Sequence, residues 1–263
     1  ASTTLLLTSS LLAGWLIAIE DRLVYFPSAT LVATPEDYGL TYERITLHTE
    51  DGLALMGWTI PREGSERWLI YFHGNGENVS RYLTLMAELH ALGLNLLIFD
   101  YRGYGESEGI PSEAGLYEDA KASYAYLRER GVAAENIYLY GFSLGSGVAT
   151  ELATHADIAG LIIEAGYTSL PEAGRHSYPF APTFLMRNLY DSLSKIAKVG
   201  APVLFLHSPA DKTVPFSQGQ RLFESAKEPK ALVEVNGGHI AMLRSPPDPR
   251  GLEAITDFFN LNP

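Results

Sequence analysis

The stretch NIYLYGFSLGSG, residues 136–147, sets a strand-like run of apolar and aromatic residues directly before Gly141-Phe142-Ser143-Leu144-Gly145. A helix-forming segment follows at once. A serine caught between a buried strand and a helix sits on a sharp, strained turn, and the flanking glycines are needed because a Cβ there would meet the neighbouring strand or helix. Its Oγ is left exposed above the sheet. The competing reading is a glycine-rich turn that only packs tightly or binds a phosphate. No Lys follows the second glycine, which argues against a phosphate loop.

On either side of that turn the pattern alternates. Residues 42–47 and 53–60 read as two antiparallel strands about Asp51-Gly52, a strong hairpin signal. WLIYFHG (68–74), a helical pattern over 79–92, NLLIFD (95–100), a helix over about 115–130, NIYLY, a helix from Ser143 and GLIIEA (160–165) follow. A less regular stretch runs to Lys198, then PVLFLH (202–207), a helix over 216–226, ALVEV (231–235) and a helix over 249–260. Continuous apolar strands alternating with helices predict an α/β domain with a mostly parallel central sheet and helices on both faces. Functional side chains are then expected beyond the carboxyl ends of the strands.

The 263 residues suit one large domain, and the apolar content of 46% supplies a buried sheet. A net charge of −12 with no clustered Lys or Arg excludes a nucleic-acid partner. With no cysteine there is neither a disulfide nor a thiol nucleophile. Residues 1–24 are set apart from a domain over 25–263, because the first nineteen carry no charge and Leu5 to Ile19 is nearly all apolar. That segment predicts membrane association by insertion or interfacial attachment; a helix docked on the domain, leaving a cytoplasmic protein, and a signal segment are the alternatives.

A serine hydroxyl needs a base in hydrogen-bond reach, and the base an orienting acid. Asp211 follows PVLFLH in SPADKTVP, and His239 follows ALVEV in NGGH, so both lie past strand ends on the edge that carries Ser143. Glu164 and Asp100 also end strands and compete for the acid's place. Asp211 is preferred: Glu164 is expected to border the pocket or fix a loop, and Asp100 to tie down DYRGYGES through Arg102. His207, His155 and His48 are expected to be structural and His73 to brace its loop. Two N–H groups must face a developing oxyanion. The expected donors are Leu144, the residue after the nucleophile, and Asn75 in the His73-Gly74-Asn75-Gly76 bend.

HGNGENVS, DYRGYGESEG, YGFSLGSG, PVLFLHSPADKTVP and NGGH resemble the α/β-hydrolase branch that holds the Bem46-like and ABHD13/17-like serine hydrolases. The likeness covers about residue 25 to the end. It implies an enzyme cleaving esters or thioesters, often membrane-associated, with Ser143, Asp211 and His239 as its triad. LVYFPS (23–28) after the apolar start fits the same arrangement. Gly76-Glu77 stands where Ala-Gly is common, and Ser146 where a glycine is common.

Only about thirty residues separate LIIEA from PVLFLH, which predicts a minimal cap and an open site. Within them Tyr167, Tyr178, Phe180, Phe184 and Met186, with Pro179, Pro182 and Leu185, form an apolar set expected to receive an acyl chain or face a membrane. The expected function is therefore a serine esterase, lipase or thioesterase acting through an acyl-enzyme on a small ester, thioester or lipid, with no metal or organic cofactor. Amide cleavage by the same triad and a non-catalytic membrane-bound binding protein are the alternatives. Haloalkane and epoxide chemistry is disfavoured, since those reactions need a carboxylate where Ser143 stands.

Overall fold

A computed structural model of the protein describes residues 20–22, 24–76, 78–177, 183–243 and 246–262. Asp51-Gly52 turns between β1 (Glu43–His48) and β2 (Ala54–Ile60), which pair antiparallel. Gly52 supplies the left-handed residue there, at φ +89°. The alternation then follows as the apolar runs require: β3 (Trp68–Phe72), α1 (Leu83–Ala91), β4 (Asn95–Phe99), α2 (Glu113–Glu129), β5 (Ile137–Phe142), α3 (Leu144–Ala153) and β6 (Gly160–Glu164). Two short helices, α4 (Leu170–Ser177) and α5 (Ser192–Ile196), occupy the irregular stretch. β7 (Val203–His207), α6 (Phe216–Ser225), β8 (Lys230–Glu234) and α7 (Pro249–Leu261) complete the chain.

The eight strands form one sheet in the order β1-β2-β4-β3-β5-β6-β7-β8. β1 and β2 are antiparallel, and every pairing from β4 through β8 is parallel. Because side chains alternate along a strand, each parallel strand feeds two cores. Ile70, Leu139, Ile163 and Phe205 meet Leu116 of α2, Val148 of α3, Ile196 of α5 and Leu222 of α6 on one face. Leu69, Tyr138, Ile162 and Leu204 meet Met86 of α1 and Phe258 of α7 on the other.

Two local expectations are corrected. The helix expected over 79–92 is split into a 3₁₀ turn (Val79–Arg81) and α1, with Tyr82 between them at φ −102°, ψ 3°. Its first donors are committed to side chains: the Val79 N–H donates to Asp100 Oδ1 and the Ser80 N–H to Asn78 Oδ1. Asp100, moreover, does not hold Arg102. The Arg102 guanidinium is shared between Asp51 and the buried Asp119, at 2.7 and 2.8 Å, and fastens the loop after β4 to the β1–β2 turn and to α2. Asp100 instead reaches back to the loop after β3, while its carbonyl accepts from Ser107 Oγ.

Candidate active site

Ser143 is the first residue past β5 and caps α3, with φ 50° and ψ −116°. Such backbone costs a non-glycine residue on the order of 1–3 kcal/mol and persists only where its surroundings enforce it. The enforcement is visible on both sides. A Cβ on Gly145 would lie 2.0 Å from the Phe72 carbonyl oxygen, and one on Gly141 2.4 Å from the Gly145 carbonyl oxygen. The Ser143 N–H donates to the Glu164 carbonyl at 3.0 Å, tying the turn to β6.

Asp211 and His239 arrive from the loops after β7 and β8. His239 Nε2 lies 2.9 Å from Ser143 Oγ and His239 Nδ1 2.8 Å from Asp211 Oδ2. A carboxylate only accepts, so Nδ1 carries the imidazole proton and Nε2 is left to accept from the serine hydroxyl. The three residues, 96 and 28 positions apart in sequence, form one hydrogen-bonded chain. Burial raises the proton affinity of Asp211, but His207, His239 and the Val214 N–H outweigh it and hold the carboxyl well below the usual range. Its other oxygen accepts the Thr213 and Val214 N–H groups at 2.8 and 2.9 Å. The acid is thus ionised and held on both oxygens, which orients the imidazole.

Glu164 is hydrogen-bonded to other groups than His239. Its Oε1 accepts the Met242 N–H at 3.2 Å and its Oε2 the Tyr140 hydroxyl at 2.8 Å, so it fixes the turn that carries the histidine. Burial pushes its pKa up to about 8. His207, at the end of β7, has its Nε2 3.0 Å from the Val214 carbonyl and 3.4 Å from Asp211 Oδ2. Its place inside an apolar strand hid that second link to the acid. His155 pairs with Glu151 on the surface, and His48 is exposed on β1.

Leu144 opens α3, and first-turn N–H groups have no acceptor within their own helix. Across from it, Gly74 packs its Cα on the Phe142 ring, where an added Cβ would come within 2.7 Å. Asn75 follows, its side chain bonded to Phe26, Gly76, Tyr104 and Val24. His73 is fully buried, with Nδ1 2.7 Å from the Gly74 carbonyl. Burial lowers its pKa to about 4, so it is neutral, and a carbonyl partner places its single proton on Nδ1.

The expected pocket residues separate. Tyr167 is buried, and its hydroxyl donates to the Leu144 carbonyl at 3.2 Å, so it braces the start of α3 from within the core. Phe184 is 82% exposed, and Met186 is half-buried. Tyr178, Pro179, Phe180 and Pro182 lie outside the described residues, as does Leu5 to Ile19. Among the described residues there is no cluster of metal-ligating side chains, and no helix is long and apolar enough to cross a membrane.

The family described as serine aminopeptidase, S33, matches residues 64–190. A Mycobacterium tuberculosis protein is 40% identical over 225 residues, covering 84% of this chain and 80% of its own. Protein bem46 of Schizosaccharomyces pombe is 35% identical, covering 80% and 76%. The lysophosphatidylserine lipase ABHD12 of Danio rerio is 30% identical, covering 82% and 68%. An esterase structure from Pyrococcus furiosus superposes with a TM-score of 0.79 over 91% of this chain and 97% of that one, at 21% identity, and shares the fold. With the strand order, the glycine-flanked turn at Ser143 and these sequence identities together, the chain belongs to the Bem46-like branch of the α/β-hydrolase family.

Proposed function

We propose that the protein is a serine hydrolase that cleaves carboxylic esters or thioesters through an acyl-enzyme on Ser143. The observation that carries this reading is His239, placed between Ser143 Oγ at 2.9 Å and Asp211 Oδ2 at 2.8 Å. His239 Nε2 takes the hydroxyl proton as Ser143 attacks the acyl carbonyl, and Asp211 steadies the imidazolium. The Leu144 and Asn75 N–H groups receive the oxyanion. The imidazolium then protonates the leaving alcohol or thiol, and water repeats the cycle on the acyl-enzyme.

A lipid-borne substrate is favoured by exposed apolar side chains beside the site: Ile240 next to the base and Phe26, bonded through its N–H to Asn75. Membrane association through Leu5 to Ile19 would deliver it. Amide cleavage is the second reading, favoured by the aminopeptidase family that matches residues 64–190.

The test is labelling by a fluorophosphonate, followed by hydrolysis of matched oxygen esters, thioesters and aminoacyl anilides with and without lipid vesicles. Labelling that persists in Ser143→Ala would refute the nucleophile. Turnover confined to anilides would move the reaction to amides.

A further inference from the structure

LVYFPS, singled out in the sequence, has no part in the chemistry above, yet its residues 24–28 lie against the candidate oxyanion loop. From Val24 to Val32 the chain runs beside Asn75, Asn78 and Ser80 and hydrogen-bonds to their side chains through its main chain. The Val24 carbonyl accepts from Asn75 Nδ2, and the Phe26 N–H donates to Asn75 Oδ1 at 3.1 Å. The Ser28 and Thr30 carbonyls accept from Asn78 Nδ2 at 3.0 and 2.8 Å, and the Val32 N–H donates to Ser80 Oγ at 3.0 Å. Behind it, the buried Tyr25 hydroxyl is bonded to Asn188 and Tyr190. Glu20 accepts from the N–H groups of Arg187 and Asn188, so the strap is moored at its other end to the segment after β6.

The Asn75 side chain is therefore held from several directions at once. Its Oδ1 accepts from Phe26, from its neighbour Gly76 and from the Tyr104 hydroxyl at 2.8 Å, and its Nδ2 is spent on Val24. The peptide that precedes it is held too. His73 Nδ1–H occupies the Gly74 carbonyl, and in a planar trans peptide the Asn75 N–H points opposite to that carbonyl. A donor whose plane is set by His73 and whose side chain is gripped by the strap and Tyr104 needs no reorganisation when charge develops on a substrate oxygen.

We propose that Tyr104 and the strap over residues 24–32 are positioning elements, which hold the Asn75 N–H toward the oxyanion by gripping the Asn75 side chain. The assignment rests on the reading of Asn75 as an oxyanion donor. Tyr104→Phe removes one hydroxyl from the grip and keeps the ring; Asn75→Ala removes the whole grip and keeps the main-chain N–H.

The experiment measures hydrolysis of p-nitrophenyl butyrate and fluorophosphonate labelling by the full chain and by these variants. Tyr138→Phe is the control for loss of a hydroxyl, since Tyr138 lies near the amino end of β5, away from Ser143, and is bonded to Asn262. The expected result is a kcat lowered about tenfold in Tyr104→Phe and about a hundredfold in Asn75→Ala, below and at the lower end of the roughly 10²–10³-fold cost of removing an oxyanion donor outright. KM should stay within about twofold and the pH profile keep its shape, because His239 and Asp211 are untouched. Tyr138→Phe should match the parent. An unchanged kcat in Tyr104→Phe overturns the role of Tyr104, and an unchanged kcat in Asn75→Ala, a loss carried by KM, or an equal loss in Tyr138→Phe overturns the role of the grip as a whole, strap included, in an active enzyme. A parent chain with neither labelling nor turnover overturns the hydrolase reading itself.

Discussion

His207 Nε2 lies 3.4 Å from Asp211 Oδ2, the oxygen that also takes the His239 Nδ1–H at 2.8 Å. Two imidazoles thus share one carboxylate oxygen, and the His207 N–H also reaches the Val214 carbonyl at 3.0 Å. His207→Phe removes a donor from an ionised partner, an interaction worth about 1.5–3 kcal/mol. The expected outcome is a kcat/KM about tenfold lower, because the Asp211 carboxylate loses one of the donors that hold it against His239. His207→Gln, which keeps a donor, should restore most of the activity. Steady-state kinetics from pH 5 to 9 reads both effects.

The roles of the carboxylates separate under isosteric replacement. Ser143→Ala should lower kcat on the order of 10⁴ to 10⁶-fold, and Asp211→Asn about 10⁴-fold by presenting the wrong imidazole tautomer. Glu164→Gln should cost less than about tenfold at neutral pH, because Glu164 is hydrogen-bonded to the histidine turn through the Met242 N–H and an amide oxygen accepts that bond equally well. Single-turnover assays on one ester rank the three; Glu164→Gln falling below Asp211→Asn would transfer the acid's role to Glu164.

Stability should depend on pH through the same residue. Burial raises Glu164 from 4.5 to about 8 and Asp100 from 3.8 to about 7, so the folded chain keeps protons that the unfolded chain releases. Their contribution is fully present below the unfolded values and is lost as pH rises through the folded ones. Asp211 acts in the opposite sense, its contribution present above 3.8 and lost as pH falls below that value. Between pH 5 and 8, Glu164→Gln should gain on the parent by on the order of 1 kcal/mol per pH unit. Urea unfolding at several pH values measures the slope, and parallel curves for the two proteins would contradict it.

Gly145 admits no side chain. A Cβ 2.0 Å from the Phe72 carbonyl oxygen meets backbone of the central strand and cannot be relieved by a rotamer change. Gly145→Ala should destabilise the fold by about 3 kcal/mol or more. Thermal unfolding shows this directly, and a melting temperature within a few degrees of the parent would mean that the turn can open.

Most of the architecture was legible in the sequence because it is carried by local signals. Apolar strand runs separated by helical patterns fixed the order of elements, and the glycine spacing around Ser143 marked the strained turn. The loops holding Asp211 and His239 could be picked out by their position after strands. The break in the 79–92 helix is not legible locally, because it depends on Asp100, which lies in another loop. The link from His207 to Asp211 is not legible locally, because the neighbours of His207 in sequence are apolar and its partner oxygen is four residues away across a turn.

By itself, then, the sequence determined the alternating α/β class, the elbow serine and the candidate base and acid, since each is written in short-range pattern or residue type. Tertiary structure alone decided which histidine joins His239 on Asp211, that Glu164 holds the histidine turn, and that residues 24–32 run beside the Asn75 loop. Those contacts join residues whose proximity follows from the order and register of the strands, and strand order is set by the packing of the whole sheet, not by any local run of residues.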